Sequence, residues 1–386
     1  VIPYGKQEIN QQDLDAVLDV LTSDFLTQGP KVPAFEKTVA DYVGAKHGIA
    51  ANSATSALHI ACLALGVGPG DAVWTTPITF VASANCALYC GAAVDFVDVD
   101  SVTNNMSAVA LKEKLMRTKS NGQLIPKVVI PVHLTGLPCD MAAIHELSLE
   151  YGFKIIEDAS HAIGGRYLSK AVGACEYSDI TVFSFHPVKI ITTAEGGLAS
   201  TNSPDLAEKM ELYRSHGVTR NSSLMEGEAD GAWYYEQVAL GYNYRMTELQ
   251  AALGLSQMTR LDQFVAARHK LAERYLELLE GLPIKLPCYS NDSYSGLHLF
   301  VIRLELTKIN KTRKEVFDQL RQNGVGVNVH YIPVHTQPYY KEMGFKNGDF
   351  PIAEEYYSEA ISLPMFHLMT YEQQDQVVAV LKEVLG

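Results

Sequence analysis

The sequence predicts an α/β protein: a mostly parallel seven-stranded sheet with helices on both faces, followed by a smaller C-terminal α+β domain. Three observations carry this. Seven short apolar runs, at 47–51, 72–76, 94–98, 128–132, 154–158, 179–185 and 196–200, are mostly separated by helical stretches, the pattern of strands joined by crossovers. Beyond residue 200 that alternation stops, and a long amphipathic stretch near 255 introduces a different order of elements. A length of 386 residues suits about two domains. We expect the boundary at 255, with a large domain over 1–255 and a small one over 256–386.

Taken in order, residues 8–22 are acidic early and carry Leu14, Val17, Leu18 and Leu21 at helical spacing, predicting an amphipathic helix. A loop punctuated by Gly29-Pro30 follows, so residues 1–30 read as an N-terminal arm. After the first strand, Asn52-Ser-Ala-Thr-Ser-Ala-Leu-His59 is a polar cap leading into an Ala/Leu helix. The most apolar window, 78–94, is broken by Ser83 and Asn85 and bounded by Pro77 and Asp95, which predicts a buried helix rather than a membrane span. From Arg214 to about Gly231 the chain reads as a long polar loop. Thr247 reads as an N-cap, leaving Asn243 and Arg245 in the loop before it. The stretch 255–282 reads as one long helix, 298–304 as a strand, and 312–322 and 371–385 as helices.

Composition excludes several functions. A net charge of −13 argues against nucleic acid and anionic membranes as partners. The six cysteines form no CxxC pair and no cluster with histidine, as expected of reduced thiols in a cytoplasmic protein. Val1 and the polar residues after it are not expected to form a signal peptide. His330 and His335 have no acidic or cysteine ligand set nearby, so no metal is expected. The first strand leads into NSATSA instead of a GxGxxG turn, against a dinucleotide dehydrogenase.

The chemistry concentrates in two stretches. In Ile180-Thr-Val-Phe-Ser-Phe-His-Pro-Val-Lys-Ile-Ile-Thr-Thr-Ala-Glu-Gly-Gly197, an apolar strand turns at His186-Pro187, presents Lys189 and restarts after the glycine pair. A lysine fixed on such a turn and desolvated has a lowered pKa and attacks aldehydes; an ordinary surface lysine fits the same residues. In Phe153-Lys-Ile-Ile-Glu-Asp-Ala-Ser-His161, a short buried strand delivers Asp158 to the rim of the sheet, where cofactors of open α/β folds bind. Pyridoxal phosphate needs such a pair: a lysine for the Schiff base and a carboxylate that keeps the pyridine nitrogen protonated. The first-turn residues Ala54 and Thr55 offer N–H groups to a phosphate, with Ser184 adding a hydroxyl; simple N-capping is the competing reading.

FSFHPVK followed by TTAEGG, IIEDASHAIGG before it and GYNYRMTELQAALG after it together resemble the DegT/DnrJ/EryC1/StrS family of nucleotide-sugar aminotransferases. Within that family, SFHPVKIITTAEGG and IPYGKQEI are most similar to the members that aminate C4 of a UDP-linked 4-keto sugar for pseudaminic acid synthesis. The resemblance implies a fold-type I enzyme using pyridoxal 5'-phosphate, an amino acid donor, glutamate, and a UDP-linked 4-keto-6-deoxy-N-acetylhexosamine as acceptor. It implies that Phe80 stacks on the cofactor ring and that Asn243 reaches the cofactor phosphate of the neighbouring subunit in a homodimer with shared sites. It implies sugar-nucleotide contacts from Tyr4, from Leu26, Thr27, Gln28 and Gly29, from Ser184 and Asn243, and from His330, Tyr331, Ile332 and Pro333. His161 would bond the cofactor hydroxyl or phosphate, or serve structure alone. Thr135 stands where the family often has tyrosine. Other nucleotide-linked keto sugars, including dTDP sugars, fit the same motifs. Dehydratases of the family carry histidine at the position of Lys189, which favours transamination here, and a non-catalytic sensor would have no use for the lysine and aspartate together. An anionic diphosphate on a chain of charge −13 requires a local cluster of donors, for which Lys31, Arg214, Arg220, His330 and His335 are candidates, or helix N-termini.

Overall fold

The computed structural model describes residues 1–290 and 292–386. Seven strands form the central sheet: β1 His47–Ala51, β2 Ala72–Thr75, β3 Ala93–Phe96, β4 Val128–Ile130, β5 Lys154–Asp158, β6 Ile180–Ser184 and β7 Gly197–Thr201. Their spatial order is β1-β7-β6-β5-β4-β2-β3. The run from β3 to β6 is parallel, whereas β7 is antiparallel to both β6 and β1. The cause is the connection before β7. Phe185 N–H donates to the Gly196 carbonyl and Thr193 N–H to the Phe185 carbonyl, so this loop doubles back without the crossover that a parallel neighbour requires.

Every residue of β4, β6 and β7 is buried, as expected of strands covered on both faces. One covering layer packs Leu58, Ile60, Cys86 and Met210 onto Ile49, Val73, Ile130 and Val182. Another packs Phe35, Met246 and Phe264 onto Phe183 and Leu198. A separate core gathers Tyr275, Phe300, Ile302, Val316, Leu320, Val377 and Leu381 on a three-stranded antiparallel sheet of Ile284–Lys285, Phe300–Leu304 and Ala360–Leu363.

Several local expectations are corrected. The single helix expected over 255–282 is two, Glu248–Met258 and Leu261–Leu278. The break at Thr259-Arg260 lets Arg260 reach Glu8 and Asp13. The first helix runs Gln11–Leu21 with an Asn10–Asp13 capping box, yet Leu14, Leu18 and Leu21 are exposed while Asp13 is buried. Asp13 tolerates burial because Ser256, Gln257 and Arg260 donate to it; desolvation raises its pKa, but the bonds from Ser256, the Asn10 N–H and Arg260 outweigh it and hold the carboxyl below the usual range. The buried helix of the 78–94 window is confined to Ala82–Tyr89. The long loop after Arg214 contains a short ladder, Val218–Thr219 with Glu236–Gln237. The helix Pro351–Glu359 and the strand after it were not foreseen. Among the described residues, no helix is long and apolar enough to cross a membrane.

Candidate active site

The site lies beyond the C-terminal ends of β5 and β6, the edge at which ligands of open α/β sheets collect. Asp158 is the last residue of β5 and is buried. Ser83 Oγ donates to its Oδ2 at 2.6 Å and Ser160 N–H to its Oδ1 at 3.1 Å, so the carboxylate is held in one orientation. Ser83 sits in the helix Ala82–Tyr89 and is shared with Thr79 Oγ1 at 2.7 Å. Read from sequence, Ser83 only interrupted an apolar window. A buried hydroxyl in such a window needs a partner, and that was the available signal.

Lys189 follows β6 on a turn closed by its own N–H to the His186 carbonyl, 2.9 Å. It is partly exposed by surface area, but desolvation of its amine lowers the pKa to about 8, with the charge of Asp158 opposing that shift. The amine therefore keeps a neutral fraction near neutral pH. Its field reaches three buried histidines. Burial first, then Lys189, keeps His161 well below the usual imidazole range and lowers His330 to about 4. His298, absent from the sequence-based set, is depressed in the same way. Its signal was a histidine opening an apolar strand run.

Aromatic residues close one side. His161 Nε2 and the Tyr331 hydroxyl are 3.0 Å apart, with the rings stacked at 5.9 Å. Phe80, 60% exposed, has its ring 6.3 Å from that of Tyr331, and Tyr4 lies 5.5 Å from His330. The C-terminal segment docks here because Val334 N–H donates to the Pro77 carbonyl, 2.9 Å. Burial, then the charge of Asp158, raises the Tyr331 hydroxyl far above its ordinary value, so it stays protonated. Ile332 is exposed and Pro333 buried.

The helix Ala54–Ala64 points its N-terminus at the same edge. Ser53 caps it by accepting Ser56 N–H at 3.1 Å, leaving the first-turn N–H groups of Ala54 and Thr55 without an intrahelical partner. Its approach to the sheet depends on Gly197: a Cβ there would lie 2.4 Å from the Ala54 nitrogen. Ser184 pairs with Gly197 in the ladder, which puts its position beside that helix end. Asn243 is exposed, and its carbonyl accepts from the Asn52 side chain at 3.4 Å.

Not every expected residue joins this group. Leu26 accepts Glu248 N–H at 3.0 Å, and Leu26, Thr27 and Gln28 are exposed; Gly29 packs tightly on Phe25 and Glu248. No hydrogen bond joins 26–29 to Lys189 or Asp158 among the described residues. Two of the five suggested donors are engaged elsewhere. Arg214 is engaged by Glu36 and the Ala50 carbonyl and His335 by Glu354 at 2.9 Å, whereas His330 lies within the field of Lys189. For Arg214 the reason is charge placement, since a cation in a chain rich in carboxylates finds a local anion first. Thr135 adopts a left-handed backbone (φ 62°) and accepts Leu299 N–H through its carbonyl.

A buried carboxylate fixed by two donors, a lysine of lowered pKa and a helix start with free N–H groups fit pyridoxal phosphate. The imidazole Nδ1 of His161, buried without a partner, marks a further polar position there. Comparison with known proteins agrees. The family model described as the DegT/DnrJ/EryC1/StrS aminotransferase family matches residues 7–382.

The chain belongs to the DegT/DnrJ/EryC1/StrS aminotransferase family. It is accordingly an aminotransferase that uses pyridoxal 5'-phosphate. It is 37% identical to the spore coat polysaccharide biosynthesis protein SpsC of Bacillus subtilis, across 100% of this chain and 97% of that one. Among solved structures it is similar to Helicobacter pylori PseC, an aminotransferase involved in pseudoaminic acid biosynthesis, with a TM-score of 0.90 at 30% identity over 100% and 99% of the two chains. The PLP form of Spr1654 from Streptococcus pneumoniae gives a TM-score of 0.88 at 28% identity over 100% of both chains. These matches bear out the fold-type I expectation for this member of the family.

Proposed function

We propose that this enzyme transfers an amino group from L-glutamate to C4 of a UDP-linked 4-keto-6-deoxy-N-acetylhexosamine, for pseudaminic acid or a related surface glycan. The observation that carries the reading is Lys189, its amine lowered to about 8, set within the field of the fixed carboxylate of Asp158. Similarity to PseC supports the acceptor. Similarity to SpsC, a spore coat polysaccharide biosynthesis protein, supports glycan synthesis more broadly, and the second reading is another UDP- or dTDP-linked keto sugar as acceptor.

Bound pyridoxal phosphate supplies an aldehyde that condenses with amines and a ring that accepts the electron pair released at the donor Cα. Lys189 would hold it covalently, Asp158 would accept the hydrogen bond of its ring nitrogen, and Ala54, Thr55 and Ser184 would bind its phosphate. Phe80 would cover the ring and His161 bond its hydroxyl. Released once the donor amine has taken its place, the free Lys189 amine would take the proton from Cα of the donor and later deliver a proton to C4 of the sugar, acting as base and then as acid. Glutamate leaves as 2-oxoglutarate before the sugar is aminated. Tyr4 and the 330–333 segment would face the sugar nucleotide from this chain. Asn243, which meets Asn52 just before the helix Ala54–Ala64, and residues 26–29, which make no hydrogen bond to Lys189 or Asp158 of their own chain among the described residues, would serve the partner's site in a homodimer. In this reading residues 1–255 form the cofactor-binding part and 256–386 the smaller part, and the enzyme works in the cytoplasm.

The experiment is product analysis. Purified enzyme with glutamate and a panel of UDP- and dTDP-linked 4-keto sugars should yield the 4-amino sugar and an equal amount of 2-oxoglutarate. The Lys189→Ala variant should yield neither and should lose the absorbance of the lysine-bound cofactor. Turnover that survives Lys189→Ala, or amination at no sugar in the panel, would end the proposal.

A further inference from the structure

A cation without an anion is buried behind the site. Arg268, on the helix Leu261–Leu278, is 1% exposed. Its Nη1 donates to the backbone carbonyls of Leu297 and His298, each at 3.2 Å, and of Met365 at 3.1 Å. Among the described residues it has no carboxylate within ion-pair distance, and its Nε has no partner. Burial lowers its pKa only to about 10, so it stays charged. A guanidinium stripped of water and given only carbonyls is unfavourable unless their placement matters.

The carbonyls it gathers belong to two segments that meet at the site. Met365 N–H donates to the Tyr4 carbonyl at 3.1 Å. His298, 4% exposed, has its ring 4.6 Å from that of His161. His161 in turn bonds Tyr331. The groups facing His298 are Lys189, His161, Arg268 and His330, and after burial each of them disfavours its protonation. A neutral, buried ring is thus packed on His161, whose own ring bonds Tyr331 within the field of Lys189.

We propose that Arg268 and His298 are positioning residues for transamination: Arg268 fixes the chain at His298, and the His298 ring seats His161 against Tyr331 beside Lys189. The inference rests on the function proposed above. Its test uses the full-length holoenzyme with His298→Asn, His298→Phe, Arg268→Met and Arg268→Lys. Loss of the ring in His298→Asn should lower kcat about tenfold or more with KM for the keto sugar within about twofold, and His298→Phe, which restores a ring, should recover most of kcat. Cofactor content should be unchanged in both. Wild-type kcat in His298→Asn, or His298→Phe no better than His298→Asn, overturns the seating role.

Cofactor-free protein labelled at histidine ring nitrogen gives a readout independent of turnover. Removing the cation in Arg268→Met should raise the titration midpoint of His298 and move the acid limb of kcat to higher pH. Arg268→Lys, which folds with a cation retained if Arg268→Met does not, should keep the midpoint low and still lose kcat. An unmoved midpoint in Arg268→Met, or full kcat in Arg268→Lys, overturns the part given to Arg268. If the wild type aminates no sugar, the proposed function fails, while the ring titrations still decide this inference.

Discussion

At the scale of single residues, two opposing effects set the amine of Lys189. Desolvation lowers its pKa and the charge of Asp158 raises it, with desolvation prevailing at about 8. The rate at which cofactor-free enzyme takes up pyridoxal phosphate should therefore rise through about pH 8 and level off above it, well below the range of a free lysine. Asp158→Asn removes the opposing charge, so the midpoint of that rise should move down. Stopped-flow absorbance measures both, and an upward shift in Asp158→Asn would contradict the assignment. The positions of this pair were legible in the sequence because Asp158 ends a run of strand character and Lys189 follows another across a His-Pro turn. Ser83 and His298 were not. Both are polar residues inside apolar runs, and only the folded chain reveals that one meets Asp158 and the other His161.

Among elements, the helix Ala54–Ala64 depends on two neighbours of different kinds. Ser53 caps it, so Ser53→Ala should cost about 1 kcal/mol. Gly197 admits it to the sheet: a Cβ would sit 2.4 Å from the Ala54 nitrogen and 2.5 Å from the Ser53 carbonyl carbon, both backbone atoms that cannot swing aside. Gly197→Ala should destabilise by about 1–3 kcal/mol and weaken cofactor binding by displacing the N–H groups proposed for the phosphate. Gly68, where an added Cβ meets nothing within 4 Å, should accept alanine within about 0.5 kcal/mol. Denaturant unfolding of the cofactor-free forms and a cofactor titration separate these outcomes. The cap was readable from Asn52-Ser-Ala-Thr. The need for Gly197 was not, because a glycine in a strand signals close approach without naming what approaches. The break at Thr259-Arg260 was hidden for a related reason: apolar spacing continues across it, and residues on both sides, Met258 before and Leu261 and Phe264 after, enter one core.

For the whole molecule, the N-terminal residues join what the sequence divides. Ile2 is buried in the C-terminal core, with its N–H donating to the Gly324 carbonyl and its own carbonyl accepting Gly326 N–H. Glu8 bonds both Arg260 and His367. What faces outward is as informative. Leu14, Leu18 and Leu21 lie 50–60% exposed with Phe25 at 52% and Leu26 at 50%, and Trp233 and Leu240 are exposed further along. Helical spacing correctly grouped the three leucines on one face, but spacing cannot say whether that face meets its own chain or another. Large apolar side chains gathered in this way favour burial against a partner, and in the proposed homodimer a second copy would cover them. A single charge on that face should then act on assembly rather than on folding. Leu18→Glu, made at a position already 58% exposed, should leave the thermal transition of the isolated chain close to wild type while shifting the species seen by sedimentation velocity from dimer to monomer. Activity should fall with it, because Asn243 and residues 26–29 would no longer meet the partner's Lys189. A Leu18→Glu variant that remains dimeric would remove this face from the interface, and one that is monomeric with full activity would confine each site to its own chain.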